Sequence, residues 1–144
     1  MLYFSASWCP PCRSFTPQLA SYYAKLPRDK VEIIFISMDK DESAFQSYYQ
    51  KMPWLAMPFA LRKEQSLLAQ RFQVRGIPSL VILDRTGSVV TTNGRMVVAA
   101  DPNGEAFPYN SESADALAAK VSGGINFRLL LFAVFIFLVY KYLF

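Results

Sequence analysis

Cys9 and Cys12 are the two cysteines of the chain, set three positions apart in Trp8-Cys9-Pro10-Pro11-Cys12. A short apolar run, Leu2-Tyr3-Phe4, precedes them and a helix-like segment follows from Arg13. Residues three apart share one face of a helix, so the two thiols can close a small disulfide and reopen it. A helix N-terminus leaves N–H groups unpaired and carries a partial positive charge. A thiolate at Cys9 is favoured there, and the thiolate is the species that attacks disulfides. Pro10 and Pro11 have no N–H to lose, and their fixed φ suits a first helical turn. Trp8 adds a large apolar surface that can shield the pair and offer a docking face. The spacing points to a redox pair. Two blander readings stand beside it. A structural disulfide suits a secreted chain, but no signal-peptide pattern opens the sequence. A zinc site needs about four ligands, which only a second copy or carboxylates could complete here.

Composition narrows the remaining chemistry. The absence of histidine excludes Ser-His and Cys-His catalytic pairs, and no glycine-rich phosphate loop or internal repeat is present. No metal set is expected. The net charge of +4 is scattered. Lys25, Arg28 and Lys30 are interrupted by Asp29 and Glu32, a pattern of a solvated face rather than of a nucleic-acid surface. A length of 144 residues, 53% of them apolar, implies one domain.

The pair needs a strand before it and a helix after it, and the pattern supplies both. Residues 1–7 read as the end of a buried strand. Residues 13–26 read as a helix with Leu19, Tyr22, Tyr23 and Leu26 as its inner stripe, kinked at Pro17. Residues 31–37 form a β-branched run suited to a strand covered on both faces, as in a parallel sheet. Residues 42–51 are expected to be helical, capped by Asp41, with Phe45, Tyr48 and Tyr49 inward. Residues 52–59 read as a loop. Residues 61–72 read as a helix with Leu67, Leu68 and Phe72 inward. Residues 79–84 and 88–92 form a hairpin across Arg85-Thr86-Gly87. Asn93-Gly94 is a second turn, residues 95–100 suit a strand or a short helix, residues 101–109 a loop, and residues 114–121 a weak helix. This order gives an α/β sandwich whose first parallel connection is a right-handed crossover. In such sheets the reactive site lies at the carboxyl ends of strands, where Cys9 falls.

Together these segments resemble the thioredoxin superfamily, in its tryparedoxin and nucleoredoxin branch, over residues 2–109. Trp8-Cys9-Pro10-Pro11-Cys12 is similar to the branch's motif, as are Phe4-Ser5-Ala6-Ser7 before it and Arg13-Ser14-Phe15-Thr16-Pro17 after it. Met52-Pro53-Trp54-Leu55-Ala56-Met57-Pro58-Phe59 is the most specific stretch. Gly76-Ile77-Pro78-Ser79-Leu80 resembles the family's cis-proline loop, and residues 101–109 resemble a closing segment with Tyr109 in place of Trp. The resemblance implies a thioredoxin-like fold, a mixed central sheet flanked by helices. It implies Cys9 as nucleophile, Cys12 as resolving thiol, and a cis Ile77-Pro78 bond that docks a substrate against the Ile77 backbone. Trp8, Pro10, Pro11, Arg13, Met38, Asp39, Ile77 and Pro78 are the expected substrate contacts, although a surface carboxylate is the simpler reading of Asp39. The buried Asp of ordinary thioredoxins is replaced by Tyr3. Met38-Asp39 stands where tryparedoxins tend to have Trp-Asp. The resemblance implies a further strand and helix ahead of the central strand, and the sequence as read is expected to lack them and to begin inside that strand.

Residues 129–140 contain no charge or amide, and residues 125–144 are interrupted only by Asn126, Arg128 and Lys141. A helix of that length spans about 30 Å, the hydrocarbon thickness, and the two cations near its ends can reach the headgroups. The expected organisation is a redox domain over 1–109, a linker over 110–124 and a transmembrane tail anchor over 125–144. The redox domain would stay in the cytosol, with the mitochondrial outer membrane favoured over the endoplasmic reticulum. A cytosolic pair of this kind acts as a reductant. The expected activity is a monomeric protein-disulfide reductase without a bound cofactor. It would take electrons from a low-molecular-weight dithiol such as trypanothione and pass them to peroxiredoxins or other thiol peroxidases. The alternatives are a nucleoredoxin-like reductase served by a thioredoxin reductase or glutathione, and a membrane-tethered protein that traps clients without turnover.

Overall fold

The computed structural model describes residues 1–122. Its strands are β1 (Leu2–Ser5), β2 (Ile34–Ser37), β3 (Leu55–Ala56), β4 (Ser79–Leu83) and β5 (Val89–Thr91). Its helices are α1 (Pro10–Tyr23), α2 (Glu42–Tyr49), α3 (Arg62–Arg71), α4 (Gly94–Ala100) and α5 (Ser111–Ser122). The strands form one mixed sheet in the order β3-β2-β1-β4-β5. β1 runs parallel to β2 and antiparallel to β4, with Phe4 opposite Ile36 on one side and Ser79 on the other.

All four residues of β1 are buried, and their alternation divides the core between the two faces of the sheet. Tyr3 packs with Phe35 and Leu80 against Leu19, Tyr22 and Tyr23 of α1, Phe45 and Tyr48 of α2, and Val97 and Val98 of α4. Leu2 and Phe4 pack with Ile36, Val81 and Phe72 on the opposite face, where Leu68 and Ala69 of α3 lie.

Several elements depart from the sequence pattern for local reasons. α1 starts at Pro10 rather than Arg13, because proline is tolerated where N–H groups have no intrahelical partner, and it continues through Pro17. β2 starts only at Ile34, which is exposed, so burial on both faces begins at Phe35. A two-residue strand, β3, pairs with β2 inside the expected loop 52–59. Leu67 of α3 is exposed instead of inward. The inward stripe is Gln65, Leu68, Ala69 and Phe72, and Leu67 falls off it. Gln65 is buried with its amide satisfied by Pro58 O at 3.1 Å. Asp41 caps α2 as expected, accepting the N–H of Ala44 at 2.9 Å.

The ambiguous segment 95–100 is helical and starts at Gly94. A Cβ there would lie 2.5 Å from Leu80 O, so the start of α4 sits directly on β4. The weak helix expected over 114–121 is longer, with Ala114 and Ala118 buried. Among the described residues no helix is long and apolar enough to cross a membrane. The expected tail anchor at 125–144 lies outside them.

Candidate redox site

The carboxyl end of the central strand leads through residues 6–8 into α1, and Cys9 is the N-cap of that helix (φ −95°, ψ 107°). Its Sγ accepts the N–H of Cys12 at 3.3 Å, and its carbonyl accepts the N–H of Arg13 at 3.1 Å. The sulfur thus takes the place of the Ser, Thr or Asp oxygen that usually satisfies the first turn. Cys9 and Cys12 are joined as a disulfide, their Cα atoms 5.2 Å apart. Cys12 is 0% exposed and Cys9 4%, so an incoming sulfur reaches the pair through Cys9.

Two loops complete the rim. The Ile77-Pro78 peptide is cis, and the Ile77 carbonyl oxygen lies 3.7 Å from Cys9 Sγ. Met38 and Ile77 pack on the cluster of Ala6, Cys9 and Cys12. Trp8 is 55% exposed, and its Nε1 donates to Met38 O at 3.2 Å. Pro10, Pro11 and Arg13 are exposed beside it. Met38 and Ile77 therefore border the disulfide, with Trp8 tied to Met38, while Pro10, Pro11 and Arg13 lie on the exposed first turn of α1 and Pro78 follows Ile77 in the cis-proline loop.

Asp39 differs from the surface carboxylate that the sequence suggests. It is completely buried. Its Oδ1 accepts the N–H and the hydroxyl of Ser7, each at 2.8 Å, and its Oδ2 accepts the Ser37 hydroxyl at 2.9 Å. It holds the turn ahead of Trp8, and a buried carboxylate needs such donors.

Beneath the pair, Tyr3 occupies the position of the Asp found in ordinary thioredoxins. Its hydroxyl lies 2.9 Å from Thr16 Oγ1, which is 2.6 Å from Tyr48 Oη and donates to Cys12 O at 2.9 Å. Tyr48 Oη lies 3.0 Å from Ser5 Oγ. Burial pushes the Tyr3 phenol well above its usual range, and a cluster of two phenols and two hydroxyls offers the resolving thiol no carboxylate. Sequence reasoning named Tyr3, Ser5, Thr16 and Tyr48 separately but not their association, which joins β1, α1 and α2.

Two arginines near the site were also missed. Arg95 Nη1 lies 3.4 Å from Pro78 O, and its guanidinium carbon is 5.5 Å from the centre of the Phe15 ring. Arg62 reaches the end of β2. A cation at the first residue of a helix opposes the dipole, and that was the available signal for Arg62.

A family model described as thioredoxin-like matches residues 1–89. A tryparedoxin of Trypanosoma brucei brucei is 50% identical over 110 residues, covering 75% of this chain and 76% of that protein. A nucleoredoxin of Bos taurus is 40% identical over 129 residues, covering 85% of this chain but only 30% of the longer protein. A solved tryparedoxin II complexed with glutathionylspermidine superimposes with a TM-score of 0.72 at 45% identity, covering 76% of this chain and 77% of that one.

Proposed function

The chain belongs to the thioredoxin-like family, and from that membership we propose that it is a thiol–disulfide oxidoreductase working as a protein-disulfide reductase of the tryparedoxin kind. The observation that carries this reading is Cys9 itself, a helix cap whose Sγ receives the Cys12 N–H and faces the Ile77 carbonyl. In the reduced pair the Cys9 thiolate attacks one sulfur of a client disulfide. A Cys9–client bond forms, and the second client sulfur leaves as a thiolate. The Cys12 thiolate then attacks Cys9 Sγ and expels the first client sulfur. Two electrons have passed to the client, and the Cys9–Cys12 bond remains. An external dithiol reverses that oxidation by the same two exchanges.

The donor in this proposal is a low-molecular-weight dithiol such as trypanothione, and the clients are peroxiredoxins or similar thiol peroxidases. The likeness to a tryparedoxin II complexed with glutathionylspermidine supports a low-molecular-weight thiol as donor. Substrate docks on Trp8, Pro10, Pro11, Arg13, Met38, Ile77 and Pro78 of a monomer. Residues 125–144 tether the domain to a bilayer, with the mitochondrial outer membrane preferred. A second reading, a nucleoredoxin-like reductase served by thioredoxin reductase or glutathione, is favoured by Met38 in place of the tryparedoxin Trp.

The test is a coupled assay on the full chain, reducing a peroxiredoxin disulfide with trypanothione, glutathione or thioredoxin reductase as donor. Turnover with trypanothione alone, abolished in Cys9→Ser, is the expected result. Turnover with another donor selects the second reading. A folded wild type with no turnover under any donor sinks both.

A further inference from the structure

Arg62 opens α3, the helix end at which unpaired N–H groups and the dipole disfavour a cation. Its guanidinium turns instead to the end of β2. Nη1 donates to Ser37 O at 3.2 Å and to Gln65 Oε1 at 2.8 Å, while Nη2 donates to Asp39 O at 3.0 Å. The face of the Phe59 ring lies 4.6 Å below the guanidinium carbon. The two bridged carbonyls flank Met38, and the Met38 carbonyl accepts the Trp8 indole N–H. The Asp39 carboxylate, on the same three-residue segment, grips Ser7 through two donors. Residues 37–39 are thus held on one side by Arg62, and on the other they hold the turn that presents Trp8 and Cys9.

We propose that Arg62 is a positioning residue for the redox site: by bridging the Ser37 and Asp39 carbonyls it fixes the segment that aims Trp8 and so shapes the surface on which a client docks. The proposal rests on the reductase reading given above. A planar guanidinium satisfies both carbonyls at once, whereas an ammonium is a point donor that cannot reproduce the fork. The cap bond from Cys12 N–H to Cys9 Sγ lies within α1 and does not pass through Arg62. Loss of Arg62 therefore weakens docking and spares the sulfur exchange.

The experiment uses the full chain in a mild detergent, reduced and mixed in stopped flow with excess insulin as the protein disulfide. Half-saturating insulin concentration reports docking, and the plateau rate reports exchange. Arg62→Ala is expected to raise the half-saturating concentration roughly tenfold, within the range by which small misplacements affect reactions, and to keep the plateau rate within about twofold. Arg62→Lys is expected to fall between the two. Wild-type half-saturation in Arg62→Ala, whatever its melting temperature, overturns the proposal, as does a loss confined to the plateau rate. Should Arg62→Ala not fold, Arg62→Lys decides by the same criterion. If the wild type does not reduce insulin, the reductase reading still stands or falls by the peroxiredoxin assay given above. The positioning role is then read from Trp8 in a Trp54→Phe background: acrylamide quenching that rises in Arg62→Ala supports it, and unchanged quenching refutes it.

Discussion

Asp101 carries a carboxylate into the protein and keeps it charged. Tyr109 donates its hydroxyl to Oδ2 at 2.7 Å, the N–H of Ala106 reaches the same oxygen at 3.0 Å, and the N–H of Glu105 reaches Oδ1 at 2.9 Å. Tyr22 of α1 donates in turn to the Tyr109 oxygen at 2.7 Å, and burial pushes the Tyr22 phenol up to about 12. Burial pushes the Asp101 pKa upward, but the hydrogen bonds from Tyr109, Ala106, Glu105 and Gly104 outweigh it and hold the carboxyl below its usual 3.8. A carboxyl that is more acidic folded than unfolded stabilises the fold above the ordinary carboxylate range. That stability is lost as pH falls through the lowered value. Melting temperature should therefore drop on acidification below about pH 4. Asp101→Asn should melt lower than wild type at neutral pH and show a shallower acid slope. Some slope should persist, because the Thr86 hydroxyl and the Ser88 N–H also hold Asp84 below its usual value. An equal slope in the variant would place the acid sensitivity elsewhere.

Gly94 shows how closely the elements are fitted. The atom nearest its missing Cβ is a backbone oxygen of β4, with the Leu80 and Ile82 side chains behind it. Gly94→Ala should cost about 1–3 kcal/mol, the usual range for overpacking, read as a lower midpoint in urea with an unchanged slope. A midpoint equal to wild type would mean that α4 shifts freely on the sheet. Elements with a long apolar stripe or a β-branched run were legible in the sequence: α1, α2, β2 and the β4–β5 hairpin. Two residues of β3 cannot display a period, and the run Met96-Val97-Val98 suits a strand as well as a helix. Leu67 misled because hydrophobicity was read without the stripe that includes the polar Gln65. The cysteine pair and its prolines were legible because their chemistry is local. The burial of Asp39 and the reach of Arg62 were not, since both depend on carbonyls and hydroxyls brought together only by the folded sheet.

At the scale of the molecule, the sheet order puts the reactive pair at the end of its central strand, with core on both faces. The proposed membrane span at 125–144 adds an expectation for the whole chain. It should float with phospholipid vesicles through a density gradient and remain with them in alkaline carbonate. Recovery in the soluble fraction would remove the tether from the proposal. The cap at Cys9 also has a consequence for the protein as a thermodynamic object. As a disulfide sulfur, Cys9 Sγ is a weak, uncharged acceptor for the Cys12 N–H; as a thiolate it would be a charged one at the positive end of α1. Oxidation and unfolding therefore close a cycle. Any stability that the dithiol form gains over the disulfide form, relative to the same pair in an unfolded chain, must reappear as a greater tendency to accept electrons. Heat and electrons then probe one quantity: the gap between the melting curves of the two redox forms is the protein's own correction to its half-cell.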